Sequence, residues 1–135
     1  MSRIRSSGTT AEQALFWTVR AAIGNRRAIQ MNVSQLPGCP DLVIPSLNLV
    51  IFANGCFYHG CPMHGHIPKS NKAYWLPKLR GNMRRDVTHR RKLRRLGYRV
   101  WTVWEHDLRG TRRESTRRRL HRRFCALMLA RTQGN

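Results

Sequence analysis

Acidic side chains are scarce in this chain: of 135 residues only 6 are Asp or Glu, against 26 Lys or Arg, a formal net charge of +20. This imbalance points to a polyanion as the partner, with nucleic acid well ahead of an anionic membrane surface. No apolar run long enough to cross a membrane occurs, and residues 1–10 lack the apolar stretch of a signal peptide. The protein is therefore expected in the cytoplasm, associated with the nucleoid and not with a membrane.

Cysteine is also rare. The four Cys residues are expected to be thiols or metal ligands in a cytoplasmic protein, not disulfides. A hydrophobic fraction of 41% with four Trp residues excludes a disordered basic tail, which could not offset the entropy lost on ordering. We expect a single domain over residues 1–135, with residues 1–8 as a flexible arm and residues 111–135 as a basic C-terminal helix.

The positive charge is concentrated in the second half of the chain. Residues 1–68 have a net charge of +3, whereas residues 69–135 have a net charge of +17. Arg outnumbers Lys by 22 to 4, which favours bidentate contacts with phosphate groups. For the arginine cluster nearest the C-terminus, the alternative to phosphate binding is a solvated face without a ligand.

Hydrophobic periodicity and turn residues predict an α/β fold with a central mixed β-sheet flanked by helices. The sequence Thr9-Thr10-Ala11-Glu12 has the form of a capping box and starts a helix that ends at Gly24. The remaining elements are predicted as strands over 27–33, 42–44, 47–53 and 98–104 and as helices over 71–79, 82–96 and 114–130.

Asp41 is the first candidate for chemistry. It follows Pro40 in a turn and enters a short apolar strand. A carboxylate in phosphate-binding surroundings repels DNA unless a divalent cation is bound, and Mg²⁺ takes carboxylate and carbonyl oxygens as ligands. Asp41, with Ala53 and Asn54 at the end of the next strand, therefore favours a Mg²⁺-dependent nuclease. A turn Asp without a function is the alternative.

A loop rich in Cys and His is the second candidate. Its Cys-x₄-Cys-x₂-His spacing supplies three zinc ligands, and a His after the last strand is the natural fourth. The predicted structural zinc site consists of Cys56, Cys61, His64 and His106. His66 is the substitute for His64, and free thiols with surface histidines are the alternative. Cys39 and Cys125 are interpreted as small core residues.

Three aromatic residues are the third candidate for a functional site, as contacts to DNA bases. They are Phe57, Tyr58 and Trp75. Aromatic side chains beside basic residues can wedge into a base stack. Packing against the zinc loop is the competing explanation, which periodicity alone favours.

Together these segments resemble the very-short-patch repair (Vsr) endonucleases over roughly residues 9–110. The segments that carry the resemblance are 36–41, 50–64, 74–79, 82–86, 96–100 and 103–106. The resemblance implies a fold similar to type II restriction endonucleases of the PD-(D/E)XK type. It also implies mismatch repair: double-stranded DNA is nicked on the 5′ side of the thymine in a T:G mismatch, by a monomer that acts with Mg²⁺, a structural zinc and other DNA-repair proteins.

The resemblance also implies a role for each matched residue. Asp41 corresponds to the Mg²⁺-binding aspartate, and the backbone carbonyl of Ala53 to a ligand of the same ion. His59 corresponds to the general base, Asp86 to an aspartate near that His, and Glu12 to an acid that reaches the metal through water. The residues that correspond to DNA contacts are Phe57, Tyr58, Trp75, Lys78, Arg84 and Arg85.

Two departures from the family pattern keep other functions open. Asn54 lies where the family commonly has His or Asp, and an amide cannot titrate. The N-terminal arm, which clasps DNA in the family, has only about ten residues here. One alternative is a Vsr-like nicking, homing or restriction nuclease that reads an intact sequence, and another is a zinc-stabilised DNA-binding protein with weakened catalysis.

Overall fold

The computed structural model describes residues 10–55 and 72–133. These residues form three α-helices and four β-strands: α1 Thr10–Ile23, β1 Gln30–Met31, β2 Leu42–Ile44, β3 Leu49–Asn54, α2 Lys72–Arg95, β4 Arg99–Trp104 and α3 Arg112–Gln133. Short 3₁₀ helices cover Pro45–Leu47 and Glu105–Leu108. The mixed α/β architecture predicted from the sequence is confirmed. Contacts divide the chain into a first unit, Met1–Ala28 with His106–Asn135, and a second unit, Ile29–Glu105.

The second unit is built on a mixed sheet in the order β1-β2-β3-β4. The pairs β1–β2 and β2–β3 are antiparallel, with Leu42 opposite Ile51, and β3–β4 is parallel, with Ile51 opposite Trp101. All three residues of β2 are buried, as expected for a continuous apolar run covered on both faces. Val43 and Val50 pack with Leu93 of α2 in one apolar cluster.

Helix α2 runs without interruption over Lys72–Arg95, so the prediction of two helices, 71–79 and 82–96, is wrong. Pro77 lies inside α2, where its ring removes one backbone N–H donor. Neither Pro77 nor Gly81 ends the helix, because Leu79 and Leu93 are buried and helix stability in proteins comes mostly from such packing. Gly97, with a φ of +97°, follows the C-terminus, and Tyr98 N–H closes it on Leu93 C=O at 3.0 Å.

Two strand predictions are corrected at their ends. The strand predicted over 27–33 is confined to Gln30–Met31, because Asn32 adopts a left-handed φ of +51°. The strand predicted over 47–53 begins two residues later, because Pro45–Leu47 forms a 3₁₀ helix that Asn48 closes with a φ of +50°.

The first unit is a pair of contacting helices, α1 and α3. Leu15 and Val19 of α1 and Leu120 and Leu127 of α3 are buried. Arg113 Nε donates a hydrogen bond to Thr18 Oγ1 at 3.3 Å. Helix α3 therefore has one face that packs inward and one that faces solvent.

The interpretation of Cys39 and Cys125 as core residues is wrong, because both side chains are exposed. Cys39 follows a tight turn, and the Sγ of Cys125 lies 3.5 Å from His121 Nε2 on α3. Among residues 10–55 and 72–133, no helix is long and apolar enough to span a membrane.

The core of the second unit predicts the cost of one substitution. Leu93→Ala should lower the free energy of unfolding by about 2–5 kcal/mol, because it leaves a cavity between α2 and the sheet. Leu96→Ala is the matched control, because Leu96 directly follows α2 and is 61% exposed. This substitution should change the free energy of unfolding by less than about 0.5 kcal/mol. Urea denaturation of both variants measures the difference, and equal losses would contradict the packing of Leu93.

Candidate functional site

The site begins at a tight turn, Leu36-Pro37-Gly38-Cys39. Cys39 N–H donates to Leu36 C=O at 3.0 Å, and Gly38 has a φ of +77°. Pro at the second position and a positive φ at the third are the features of a type II turn. The turn returns the chain to β2, and Val33 N–H donates to Pro40 C=O at 3.1 Å. Asp41 is thereby placed immediately before the first residue of β2.

The Asp41 carboxylate is tied to the neighbouring strand. Ala53 N–H, near the end of β3, donates to Asp41 Oδ2 at 2.8 Å. Asp41 is half-buried, whereas Asn54, the last residue of β3, is only 4% exposed. A charge-assisted hydrogen bond of this kind is shorter and stronger than a neutral one. The carboxylate is therefore held at the sheet edge.

This carboxylate lines a cleft of about 210 Å³ between the sheet and α2. The cleft is lined by Gly38, Cys39, Asp41, Phe52, Ala53, Asn54, Asp86, His89 and Arg90. A second cleft, of about 340 Å³, shares Asn54, Asp86 and Arg90 with the first. Three of the residues predicted as catalytic, Asp41, Asn54 and Asp86, thus face one cavity together with Ala53.

His89 is a cleft residue that the sequence analysis missed. It lies one helical turn after Asp86, and its Nδ1 is buried without a hydrogen-bond partner among the described residues. Its ring packs beneath Gly38, because a Cβ built at Gly38 would lie 2.9 Å from His89 Cβ. The spacing of three and four residues between Asp86, His89 and Arg90 on a helix was the signal that could have found it.

The donor set of the cleft is compatible with a hard divalent cation. Asp41 and Asp86 offer carboxylate oxygens and Asn54 an amide oxygen, and Mg²⁺ binds through one or two carboxylates and water. Within the described part of the chain, no group of three His, Cys, Asp or Glu residues could hold a metal ion. The oxygen donors of the cleft therefore suit an ion that keeps much of its hydration.

A basic and aromatic cleft lies on the N-terminal half of α2. It is lined by Tyr74, Trp75, Lys78, Leu79, Asn82 and Arg85. The Tyr74 and Trp75 rings meet edge to face at 5.1 Å, and Lys78 Nζ lies 5.0 Å from the centre of the Tyr74 ring. Three residues predicted as DNA contacts, Trp75, Lys78 and Arg85, are thus together, whereas Arg84 is exposed and is not part of this cleft.

Two other predicted residues belong to the first unit. Glu12 lies in the first turn of α1 and His106 in the 3₁₀ helix after β4, both in the first unit. His106 Nε2 is 3.5 Å from Asp107 Oδ1. The residues that lie outside the described ranges are Cys56, Phe57, Tyr58, His59, Cys61, His64 and His66.

Sequence comparisons identify the family. The family model described as DNA mismatch endonuclease Vsr matches residues 1–64. The DNA mismatch endonuclease Vsr of Escherichia coli (strain K12) is 36% identical over 110 residues, which are 76% of this chain and 68% of that protein. The chain belongs to the Vsr family. Its membership makes it a DNA endonuclease of the Vsr type and confirms the resemblance predicted from the sequence.

Other relatives of this Vsr chain are named as nicking enzymes. The type II nicking enzyme V.XorIIP of Xanthomonas oryzae pv. oryzae is 40% identical over 110 residues, 80% of this chain and 78% of that protein. The type II nicking enzyme V.NaeI of Lentzea aerocolonigenes is 47% identical over 68 residues, 50% of this chain and 41% of that protein.

The close contact between His89 and Gly38 predicts that a methyl group added at position 38 lowers the stability of the protein. Gly38→Ala combines a positive φ with a 2.9 Å contact to His89 Cβ, so it should destabilise the Vsr chain by more than backbone strain alone. Gly97→Ala is the control, because its φ is also positive and nothing lies within 4 Å of the added carbon. Strain alone costs about 1–2 kcal/mol. Urea denaturation compares the two, and an equal loss would contradict the packing of His89.

Proposed function

We propose that this Vsr-family endonuclease nicks double-stranded DNA on the 5′ side of the thymine in a T:G mismatch, by Mg²⁺-dependent phosphodiester hydrolysis. The observation that carries the chemical part of the proposal is the shared cleft of Asp41, Asn54 and Asp86, with Asp41 fixed by Ala53 N–H. The mixed sheet with an acid at its edge supports a fold of the restriction-endonuclease type. The family description supports the mismatch.

Asp41 and the backbone carbonyl of Ala53 would hold the Mg²⁺ ion. When bound, Mg²⁺ neutralises the charge on a phosphoryl oxygen during in-line displacement. Asp41 is suited to the role because its Oδ2 is already oriented by the 2.8 Å hydrogen bond from Ala53 N–H. Glu12 is proposed to reach the same ion through a water molecule.

His59 is proposed as the general base that takes a proton from the attacking water. An imidazole suits this task because its ordinary pKa, about 6.5, lies close to neutral pH. Asp86 would orient the imidazole by accepting a hydrogen bond from its other nitrogen. Asn54 can hydrogen-bond a water molecule in the cleft but cannot accept its proton, since an amide does not titrate in this range.

The basic residues beside the cleft would bind the DNA backbone. Arg90 lines both clefts that contain Asp86, and its guanidinium lies 5.9 Å from the centre of the Phe52 ring. Lys78 and Arg85, with Arg84, would contact phosphates, because such contacts set the register of a protein on a duplex. The residues proposed to wedge into the DNA near the mismatch are Phe57, Tyr58 and Trp75.

A structural zinc ion is a further part of the proposal. Two thiolates and two imidazoles are a common tetrahedral donor set for zinc, and the four proposed ligands are Cys56, Cys61, His64 and His106. His66 is the substitute for His64. The spacing of the two Cys and the His in the sequence supports the site.

Two substitutions test the catalytic assignment. Asp41→Asn keeps an oxygen acceptor for Ala53 N–H but removes the charge that binds Mg²⁺, so nicking should fall by at least about 100-fold with little change in melting temperature. His59→Ala should also reduce nicking by about 100-fold or more, since it removes the base. Nicking of a duplex that contains one T:G mismatch, with Mg²⁺ or with EDTA, measures both.

Duplex binding in EDTA is the control for these variants, and it should stay within a few-fold of the parent. A variant that binds normally and nicks at the parent rate contradicts the assignment of that residue. A parent protein that binds DNA but nicks neither mismatched nor intact duplex supports the DNA-binding alternative instead.

The mismatch specificity is tested separately with two duplexes that differ in one base pair. The rate of nicking on the 5′ side of the thymine should be much higher for T:G than for T:A in otherwise identical sequence. Single-turnover rates at saturating protein measure the ratio. Equal rates would contradict mismatch recognition and support a nuclease that reads an intact sequence.

A further inference from the structure

The solvent side of α3 carries a concentrated group of arginines in the first unit. Eight arginines and one acidic residue, Glu114, lie within Arg112–Gln133, which contains no Lys. We define the arginine face as Arg118, Arg119, Arg122 and Arg123, all of which are exposed. The proposed chemistry of the second unit makes no use of these side chains.

The arginine face is held outward by the packing of the opposite side of the helix. Thr116, Leu120 and Leu127 are buried, and Thr116 Oγ1 donates a hydrogen bond to Asp107 C=O at 2.6 Å. The rotation of α3 about its axis is thereby fixed. The Arg118 side chain is 65% exposed and that of Arg119 is 47% exposed, so both are accessible to a large ligand.

Like charges are crowded on this face. Arg118 and Arg122, and likewise Arg119 and Arg123, are four residues apart, a spacing at which like charges destabilise a helix. The pKa of Arg123 is lowered, first by burial and then by the charge of Arg119. Without a bound anion the repulsion between these arginines lowers the stability of the helix. A bound polyanion would relieve that repulsion.

The nearby acids neutralise the arginine face only in part. Glu114 pairs with Arg117 at 2.5 Å and with Arg118 at 3.4 Å, and the hydrogen bond from Arg117 lowers the pKa of Glu114 to about 2. Asp107 pairs with Arg112 and with Arg119, each at 3.4 Å. Within the described part of the chain, no ion pair of Arg122 is found. The helix therefore keeps a large positive excess.

The chemistry of this face favours the DNA backbone over a membrane surface. Guanidinium groups bind phosphate oxygens in a bidentate manner. A helix that lies on a membrane inserts a continuous apolar face below its basic residues. Leu120 and Leu127 of α3 are instead buried in the first unit, and the large apolar side chain that this helix exposes among the described residues is Leu129.

We propose that the arginine face binds the phosphate backbone of duplex DNA without reading sequence, as a contact additional to the cleft in the second unit. This proposal rests on the proposed function only in taking duplex DNA as the substrate. It concerns binding and not chemistry, because none of the four arginines belongs to the cleft. Contacts to phosphate position a protein on DNA but do not distinguish base pairs.

The test is the salt dependence of DNA binding in EDTA, where no nicking occurs. Each phosphate contact contributes about 0.9 to the slope of log K against log salt concentration. The double variant Arg118→Gln with Arg122→Gln should therefore reduce the slope by about 1–2 and weaken binding at low salt. The loss should be equal for T:G and T:A duplexes, since backbone contacts carry no sequence information.

Two further variants control for charge and structure. Arg26→Gln with Arg131→Gln removes the same charge from exposed positions of the same unit outside the arginine face, and it should change the slope much less. Arg118→Lys with Arg122→Lys keeps the charge and should restore most of the slope. Melting temperatures of all variants show that the fold is retained.

The possible outcomes separate this proposal from the nicking proposal. Equal slope changes in the face variant and the Arg26–Arg131 control, or no change in either, would overturn the arginine face as a DNA contact. So would unchanged DNA binding together with loss of binding to anionic vesicles. The single-turnover nicking rate at saturating DNA should be the same in the face variant and the parent. A parent protein that never nicks refutes the proposed chemistry while the binding measurements still decide the proposal for α3.

Discussion

The register of β2 against β3 is the constraint on which the rest of the site depends. Leu42 lies opposite Ile51, and just beyond this pair Ala53 N–H donates to the Asp41 carboxylate at 2.8 Å. The acid is thus positioned by the strand ladder and not by a flexible loop. A slip of one residue would exchange the side chains on the two buried faces of β2 and would move Asp41 away from Ala53 N–H. Burial of the strand core is therefore also what holds Asp41 in the cleft.

The few acids of the chain have different surroundings in the two units. In the second unit Asp41 and Asp86 line the same cleft. In the first unit Asp107 and Glu114 form ion pairs with arginines of α3. Asp107 and Glu114 thus partly neutralise the excess positive charge of the first unit. Asp41 and Asp86 instead make the cleft of the second unit locally negative. A negatively charged cavity is suited to binding a cation, whereas the positively charged surface around it is suited to binding phosphate.

The sequence was sufficient for elements whose signal is local. The apolar runs of β2 and β3 and the spacing of Leu120 and Leu127 predict strands and a helix, and these are confirmed. The turn chemistry of Leu36-Pro37-Gly38-Cys39 likewise leads to Asp41. It was insufficient for α2, because local rules favour a break near Pro77 and Gly81, whereas packing of Leu79 and Leu93 along the helix sustains it. The contact of His89 with Gly38 could not be predicted, since the two residues are 51 positions apart in the sequence, and only the helical spacing from Asp86 marked His89 as a cleft residue.

Asn54 limits how protons can move in the cleft. Its side chain is almost fully buried at the end of β3, where an ionised group would lose most of its hydration. A neutral amide avoids this cost and still offers two donors and an acceptor. Among the described residues that line the cleft, His89 is the imidazole, and its Nδ1 is buried away from solvent. In the proposed mechanism the base that takes the proton from the attacking water is His59, in the segment that follows β3. With an amide at position 54, the proposed mechanism would leave the acid–base chemistry to His59, oriented by Asp86, while Asp41 would supply the charge that binds the cation.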